Sequence, residues 1–201
     1  MTNIKKPLLI LAATGITAVL GIGYFRLLKP AQAREIQAAC RGLRPSPTNK
    51  ALGRLPVVAP DFAAQDHTGA IVRLSDLRGK VVLVRFWGSW CQTCKGEQPS
   101  LEALADDWAD DGDDLVVLSI ASDESWDAVR TKLADGSHTR VLIDPPEGDE
   151  AVGPIGRAYG VQKVPESFVV DRNGFVRYYF VNKRDWRGSV ARTCLRSILD
   201  E

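Results

Sequence analysis

The chain has 201 residues, 45% of them hydrophobic, which is enough for about one ordinary domain with its own core and an appendage. Lys and Arg number 26 against 25 for Asp and Glu, so no basic field points to nucleic acid and no acidic excess points to a solvating tail. A domain of this size can hold itself together by burial, so its 4 cysteines do not make it a disulfide scaffold.

Lys5 and Lys6 precede an uncharged apolar run over residues 8–25, closed by Arg26 and Lys29. As a helix this run would span about 27 Å at roughly 1.5 Å per residue, near the thickness of a hydrocarbon core. An uncleaved membrane anchor over residues 1–29 fits it better than a cleaved signal peptide. Signal peptides have a shorter apolar stretch, and here Arg26 and Lys29 would stand between the run and a cleavage site at Ala31-Gln32-Ala33. Residues 30–54 read as a tether. A short helix over 34–40 is possible, but Arg44-Pro45-Ser46-Pro47 cannot continue it, because proline lacks the donor and constrains its neighbour. Residues 55–201 read as the folded domain, approached through Pro56 and Pro60.

Within that domain, residues 71–74 read as a short strand after a turn at Thr68-Gly69, and the β-branched and aromatic run 81–87 suits a central strand. A helix is expected from Cys91 to about Trp108, with Leu101, Leu104 and Trp108 at helical spacing. Residues 115–120 form a second buried strand, 122–134 a helix presenting Trp126, Val129 and Leu133, and 141–143 a short strand. The acidic loop 144–150 reads as solvated, and 155–159 as a helical turn stopped by Gly160. Asp171-Arg172-Asn173-Gly174, between the runs 167–170 and 175–180, is a hairpin signal. Asp185 is expected to cap a last helix that turns Val190, Cys194, Leu195 and Ile198 inward. The order β-β-α-β-α-β-α-β-β-α implies an α/β fold, a mixed sheet with helices on both faces.

Cys91 and Cys94 carry the chemistry. They follow a buried strand and open a helix, whose free N–H groups and dipole favour a thiolate on Cys91. Residues three apart share a helix face, so the two sulfurs can meet. Cys91 would attack a substrate disulfide, and Cys94 would then attack Cys91 and release the reduced substrate. A zinc site would want a second such pair, and covalent haem attachment would want His where Lys95 stands. Cys40 and Cys194 could form a disulfide pinning the tether to the domain, or stand as an idle thiol and a small buried residue. His67 and His138 are isolated, so no metal site is expected.

The segment Phe86-Trp87-Gly88-Ser89-Trp90-Cys91-Gln92-Thr93-Cys94-Lys95 resembles the active site of thioredoxin-like proteins, in particular the TlpA/ResA/CcmG (DsbE) group of membrane-tethered bacterial oxidoreductases. The likeness runs over roughly residues 55–190. Leu74-Ser75-Asp76-Leu77-Arg78-Gly79-Lys80 looks like that group's lead-in, Pro99 falls where its active-site helix is kinked, and Tyr159-Gly160-Val161 with Val164-Pro165-Glu166-Ser167-Phe168 looks like its cis-proline segment. The resemblance implies a thioredoxin-like mixed sheet preceded by a transmembrane helix. It implies a cis bond before Pro165, with backbone at Val164 exposed to bind an extended substrate segment. Trp87 and Trp90 read as partly core and partly a flat apolar surface beside the sulfurs, which makes Trp90 a substrate-binding candidate with Val164. It also implies a carboxylate at Glu97 near the dithiol, disfavouring a second negative charge or relaying protons. Arg85 departs from the pattern, since thioredoxins place a buried Asp there; it could face solvent, pair with an acid or favour the thiolate.

The implied protein is a disulfide reductase of the bacterial inner membrane, with its catalytic domain in the periplasm or otherwise outside the cytoplasm. Its partners would be apocytochrome c or copper-site proteins, with electrons from a membrane thiol donor and no cofactor. A copper-binding metallochaperone using the dithiol is the alternative, because soft thiolates suit Cu(I). A binding module whose thiols stay paired is a third reading. The direction of electron flow is not legible in the sequence, because about 30 mV, or 1.4 kcal/mol, already decides it.

Overall fold

Two sequence patterns set the elements: β-branched runs make strands, and apolar stripes at helical spacing make helices. The computed structural model describes residues 51–110, 114–132 and 138–201, together with Gly21, Gly23, Tyr24 and Cys40. Among them no helix is long and apolar enough to cross a membrane. Apart from Gly21, Gly23 and Tyr24, the anchor expected over residues 1–29 lies outside the described residues, as does most of the tether. The chain divides into units 1–39 and 40–201, and the second carries the sheet.

In chain order the elements of that unit are β1 (Val57–Val58), β2 (Ala63–Asp66), β3 (Ile71–Arg73), β4 (Val81–Trp87), α1 (Gln92–Lys95), α2 (Gln98–Asp110), β5 (Leu115–Ala121), α3 (Trp126–Arg130), β6 (Arg140–Ile143), α4 (Pro154–Ala158), β7 (Glu166–Val170), β8 (Phe175–Val181) and α5 (Ser189–Leu199). The strands form one sheet in the order β1-β8-β7-β4-β5-β6-β2-β3. Strands β4, β5 and β6 run parallel, while β7 pairs antiparallel with β4 on one side and with β8 on the other. The sheet is therefore mixed, parallel at its centre and antiparallel at both sides: the hairpin around Asp171 and Gly174 on one, and β2, paired antiparallel with β6 and β3, on the other.

Every residue of β4 is buried, as a strand covered on both faces requires. Val82, Val84 and Phe86 face a core shared with Leu118, Ile120, Phe168 and Val170. Tyr159 anchors this core, with ring centroids 5.4 Å from Phe86 and 5.0 Å from Phe168. Leu52 also packs into it, so the chain is bound to the domain before β1 begins, and Ala59 continues the contact just after β1. Trp87 points to the other face, where it meets Cys91, Cys94, Ala121, Val129 and Val141. The alternation of β4 thus places the dithiol turn beyond the carboxyl end of a central strand.

Five local expectations are corrected, the last of them at Asp144. The helix expected from Cys91 to about Trp108 is two helices, broken at Gly96 and Glu97, and Pro99 sits in the first turn of the second, where a missing N–H costs nothing. Only residues 126–130 of the segment 122–134 are helical among those described, because Ser122 and Asp123 are engaged with the active-site turn. Asp185 does not cap α5. Gly188 holds that position, and Asp185 closes the turn before it by accepting from the N–H groups of Arg187 and Gly188. Val190 is 47% exposed, lying about a quarter turn off the stripe of Ala191, Cys194, Leu195 and Ile198.

Asp144 is not solvated with the rest of its acidic loop. It is buried, and its carboxylate accepts from the N–H groups of Ile155 (3.1 Å) and Gly156 (2.9 Å), capping α4 from a distance. Burial pushes its carboxyl up from the usual value, against the pull of those two N–H groups. Gly153 permits the approach, since a Cβ there would overlap Asp144.

Cys40 and Cys194 are joined by a disulfide with Cα atoms 5.7 Å apart, both residues buried. The bridge closes a loop of sequence separation 154, which in the chain-entropy account restricts the unfolded state by on the order of 5 kcal/mol.

Candidate active site

Cys91 is the N-cap of α1, and Cys94 lies on its single turn. The two sulfurs are bonded, with Cα atoms 5.2 Å apart. Exposure separates their roles: Cys91 keeps 7% of its surface and Cys94 only 1%. An incoming disulfide can reach Cys91 alone. The Cys91 sulfur also accepts from the N–H of Cys94 at 3.1 Å, a bond that favours negative charge on that sulfur in the reduced protein.

The turn ahead of Cys91 is held from the segment that follows β5. The Ser89 N–H donates to Asp123 Oδ2 at 2.9 Å, and the Ser89 hydroxyl donates to Oδ1. Cys91 N–H donates to the Gly88 carbonyl at 3.0 Å. Trp90 folds back so that its indole N–H reaches the Ser122 carbonyl at 3.3 Å, yet the residue stays 58% exposed beside Cys91. A Cβ on Gly88 would lie 2.6 Å from that indole, so glycine is required for this fold-back.

The Val164–Pro165 bond is cis, and the Val164 carbonyl oxygen lies 3.8 Å from Cys91 Sγ. In the disulfide form that sulfur carries no proton, so this is a contact rather than a hydrogen bond. Next in the chain, Glu166 is buried and accepts from the Tyr179 hydroxyl and from the backbone N–H groups of Lys163 and Gln162. It thereby fixes the loop that carries Val164. Burial is the main influence on its carboxyl and pushes it up from 4.5, opposed by those three donors.

The native state therefore keeps this proton to higher pH than the unfolded chain does. The associated stability is complete below about 4.5 and is lost as pH rises through the raised value. The unfolding free energy of wild type minus that of Glu166→Gln, from urea titrations, should fall as pH rises from about 4 to about 8. A flat difference would mean that Glu166 titrates alike in both states.

Beneath the dithiol lies a buried ion pair. Arg85 Nε donates to Glu97 Oε2 at 2.8 Å, with side chains 0% and 1% exposed. The same guanidinium reaches Gln98 Oε1 (3.0 Å), Ser119 Oγ (3.2 Å) and the Cys94 carbonyl (3.1 Å). Glu97 Oε1 accepts from Arg184 N–H and Trp186 Nε1, each at 3.0 Å. Burial pulls the Arg85 guanidinium down, and Glu97 opposes it. None of the Glu97 hydrogen bonds goes to a sulfur; its link to the dithiol runs through Arg85 and the Cys94 carbonyl.

The structure thus brings Trp90, Cys91, Cys94, Val164 and Pro165 together, places Glu97 under the same turn, and sets Cys40 and Cys194 apart in their own bridge. Sequence reasoning missed Asp123, Ser122 and the loop-fixing role of Glu166. The available signal was position: Ser122 and Asp123 follow the carboxyl end of β5, where ligand-binding groups gather in α/β sheets. His138 is exposed and pairs with Asp106. Among the described residues, no three His, Cys, Asp or Glu side chains are grouped as metal ligands.

The sequence model described as the AhpC/TSA family matches residues 57–179. The chain is 34% identical over 119 residues to the thiol-disulfide oxidoreductase ResA of Bacillus thuringiensis (strain Al Hakam), covering 59% of this chain and 64% of that protein. The match thus spans less than two thirds of the ResA relative. Against the thiol:disulfide interchange protein DsbE of Pseudomonas aeruginosa it is 30% identical over 162 residues, covering 79% of this chain and 84% of that one. Among solved structures, a Chlorobium tepidum protein assigned as the thiol:disulfide interchange protein DsbE superposes with a TM-score of 0.62 at 30% identity, over 72% of this chain and 96% of that one. The mixed sheet and its flanking helices are accordingly a thioredoxin-like α/β fold.

Proposed function

We propose that this chain, which belongs to the AhpC/TSA family and within it to the thioredoxin-like ResA and DsbE oxidoreductases, reduces protein disulfides outside the cytoplasm through Cys91 and Cys94. The observation that carries the reading is the asymmetry of the pair: one sulfur open beside the Val164 carbonyl and the exposed Trp90, the other sealed behind it.

The Cys91 thiolate attacks one sulfur of a substrate disulfide and forms a mixed disulfide, and the other substrate sulfur leaves as a thiolate and takes a proton. The Cys94 thiolate then attacks Cys91, the second substrate thiol departs, and the Cys91–Cys94 disulfide remains. Two electrons pass to the substrate, and a membrane thiol donor restores the dithiol. Trp90 supplies a flat apolar surface beside the reacting sulfurs, and the backbone at Val164 can pair with an extended substrate segment. The substrates that suit this reading are the haem-attachment cysteines of apocytochrome c or the cysteines of copper-site proteins. The residue run 8–25 would hold the domain at the inner membrane, on its periplasmic side.

Direction is tested by equilibrating the full chain with glutathione and with a disulfide-bonded Cys-x-x-Cys-His peptide. The reduced chain should transfer its electrons to the peptide, with a reduction potential at least about 30 mV below the peptide's, a tenfold bias in equilibrium. Net oxidation of the reduced peptide by the Cys91–Cys94 disulfide would make the protein an oxidant and overturn the proposed direction.

A further inference from the structure

Next to Trp90 an open cavity of about 440 Å³ extends away from the dithiol, between the end of β5, the start of α3 and the loop before α4. Trp90, Ser122, Asp123, Glu124 and Glu150 are among its lining residues, and no Lys, Arg or His is. Asp123 is fixed there by its two bonds from Ser89, while Glu124 and Glu150 are exposed. Three carboxylates around one concave surface create a local field that attracts a cation.

Carboxylates alone do not define a ligand, but Ser122 adds an independent mark. It is 1% exposed, it lines this cavity, and its hydroxyl has no hydrogen-bond partner among the described residues. A buried hydroxyl without a partner is unfavourable, so the cavity is incomplete until a polar group enters it. Trp90 narrows the choice further. Its indole N–H is tied to the Ser122 carbonyl, which holds the ring still and leaves it open to solvent beside the cavity. A fixed aromatic surface next to carboxylates suits a planar cation.

We propose that this cavity is a specificity pocket for a basic side chain, arginine in preference to lysine, carried by the substrate polypeptide close to the cysteine that Cys91 attacks. The proposal rests on the disulfide-reductase reading and names the substrate feature that reading lacks. The guanidinium stacks on Trp90, donates to the Ser122 hydroxyl and is neutralised by Glu124 and Glu150. Because Trp90 directly precedes Cys91 in the chain, filling the pocket also registers the substrate backbone against the reactive sulfur.

Three disulfide-bonded peptides, identical except for Arg, Gln or Glu two residues from the target cysteine, separate the possibilities when offered to the reduced full chain. The kcat/KM values should fall in the order Arg, Gln, Glu, with about tenfold between the extremes at low salt and less at high salt. In the double variant Glu124→Gln, Glu150→Gln the Arg-to-Glu ratio should collapse toward one. Equal rates for all three peptides in the wild-type chain, or a ratio unchanged in the double variant, would reject the pocket and leave the reductase reading standing. Reduction of none of the peptides would reject both.

Discussion

Replacing Cys91 by serine abolishes disulfide turnover to the uncatalysed background, and replacing Cys94 by serine makes the chain accumulate as a mixed disulfide with its substrate. The first result follows from exposure: with Cys91 gone, the one remaining sulfur of the site is 1% exposed and sits behind the first turn of α1, out of reach of a protein disulfide. A serine hydroxyl in its place is not a nucleophile at neutral pH without an adjacent base, and no base bonds to that position. The second result follows from order of events. Cys91 still attacks, but the step that releases the substrate requires a sulfur on the next turn, and that sulfur is missing. Non-reducing electrophoresis and mass measurement of the Cys94→Ser protein read the adduct directly, and reducing agent should dissolve it. Unimpaired turnover in Cys91→Ser, or an adduct formed through Cys94 in that variant, would remove the assigned roles. The Cys40–Cys194 bridge is buried and far along the chain from this chemistry, so neither variant should acquire a new attacking thiol from it.

The parts of this site that were legible in the sequence are the ones coded by neighbouring residues. The dithiol, its position after a valine-rich strand and the proline at 165 are each visible within a few residues, because strand period, helix entry and turn chemistry are local properties. What was not legible depends on groups far apart in the chain. Asp123 reaches Ser89 across 34 residues, and Asp144 caps α4 from 11 residues away. Spacing likewise left the Cys40 and Cys194 thiols either idle or paired; only the packing of α5 brings them together. Asp185 misled for a related reason. Short polar side chains serve turns as readily as helix caps, and here the turn took it. Val190 shows the limit of periodicity near a helix end, where one residue of error in the start moves the inward stripe by about 100°.

Arg85, which the sequence leaves open between solvent, an acid partner and the thiolate, carries a large stability effect. It is fully buried and bonded to Glu97, itself 1% exposed, so two opposite charges share the ground beneath the active-site turn. Removing one partner of such a pair strands the other charge in a poor solvent, at a cost of about 3–5 kcal/mol. Glu97→Gln should approach that range despite its similar shape. The amide oxygen can still accept from Arg184 N–H and Trp186 Nε1, but the amide NH2 then faces the Arg85 Nε–H, donor against donor. Arg85→Met alone should be comparably harmful, because it leaves a buried carboxylate with no cation. The double variant Arg85→Met, Glu97→Gln should recover more than half of the loss, because both charges leave together. Urea unfolding of the four proteins measures this cycle. If either single change costs less than about 1 kcal/mol, the pair behaves like an exposed, solvent-screened ion pair and not a buried one. The same cycle separates scaffold from chemistry. Arg85 holds the Cys94 carbonyl, so loosening it lets α1 shift under the sulfurs and should lower kcat for disulfide reduction even where the variant remains folded.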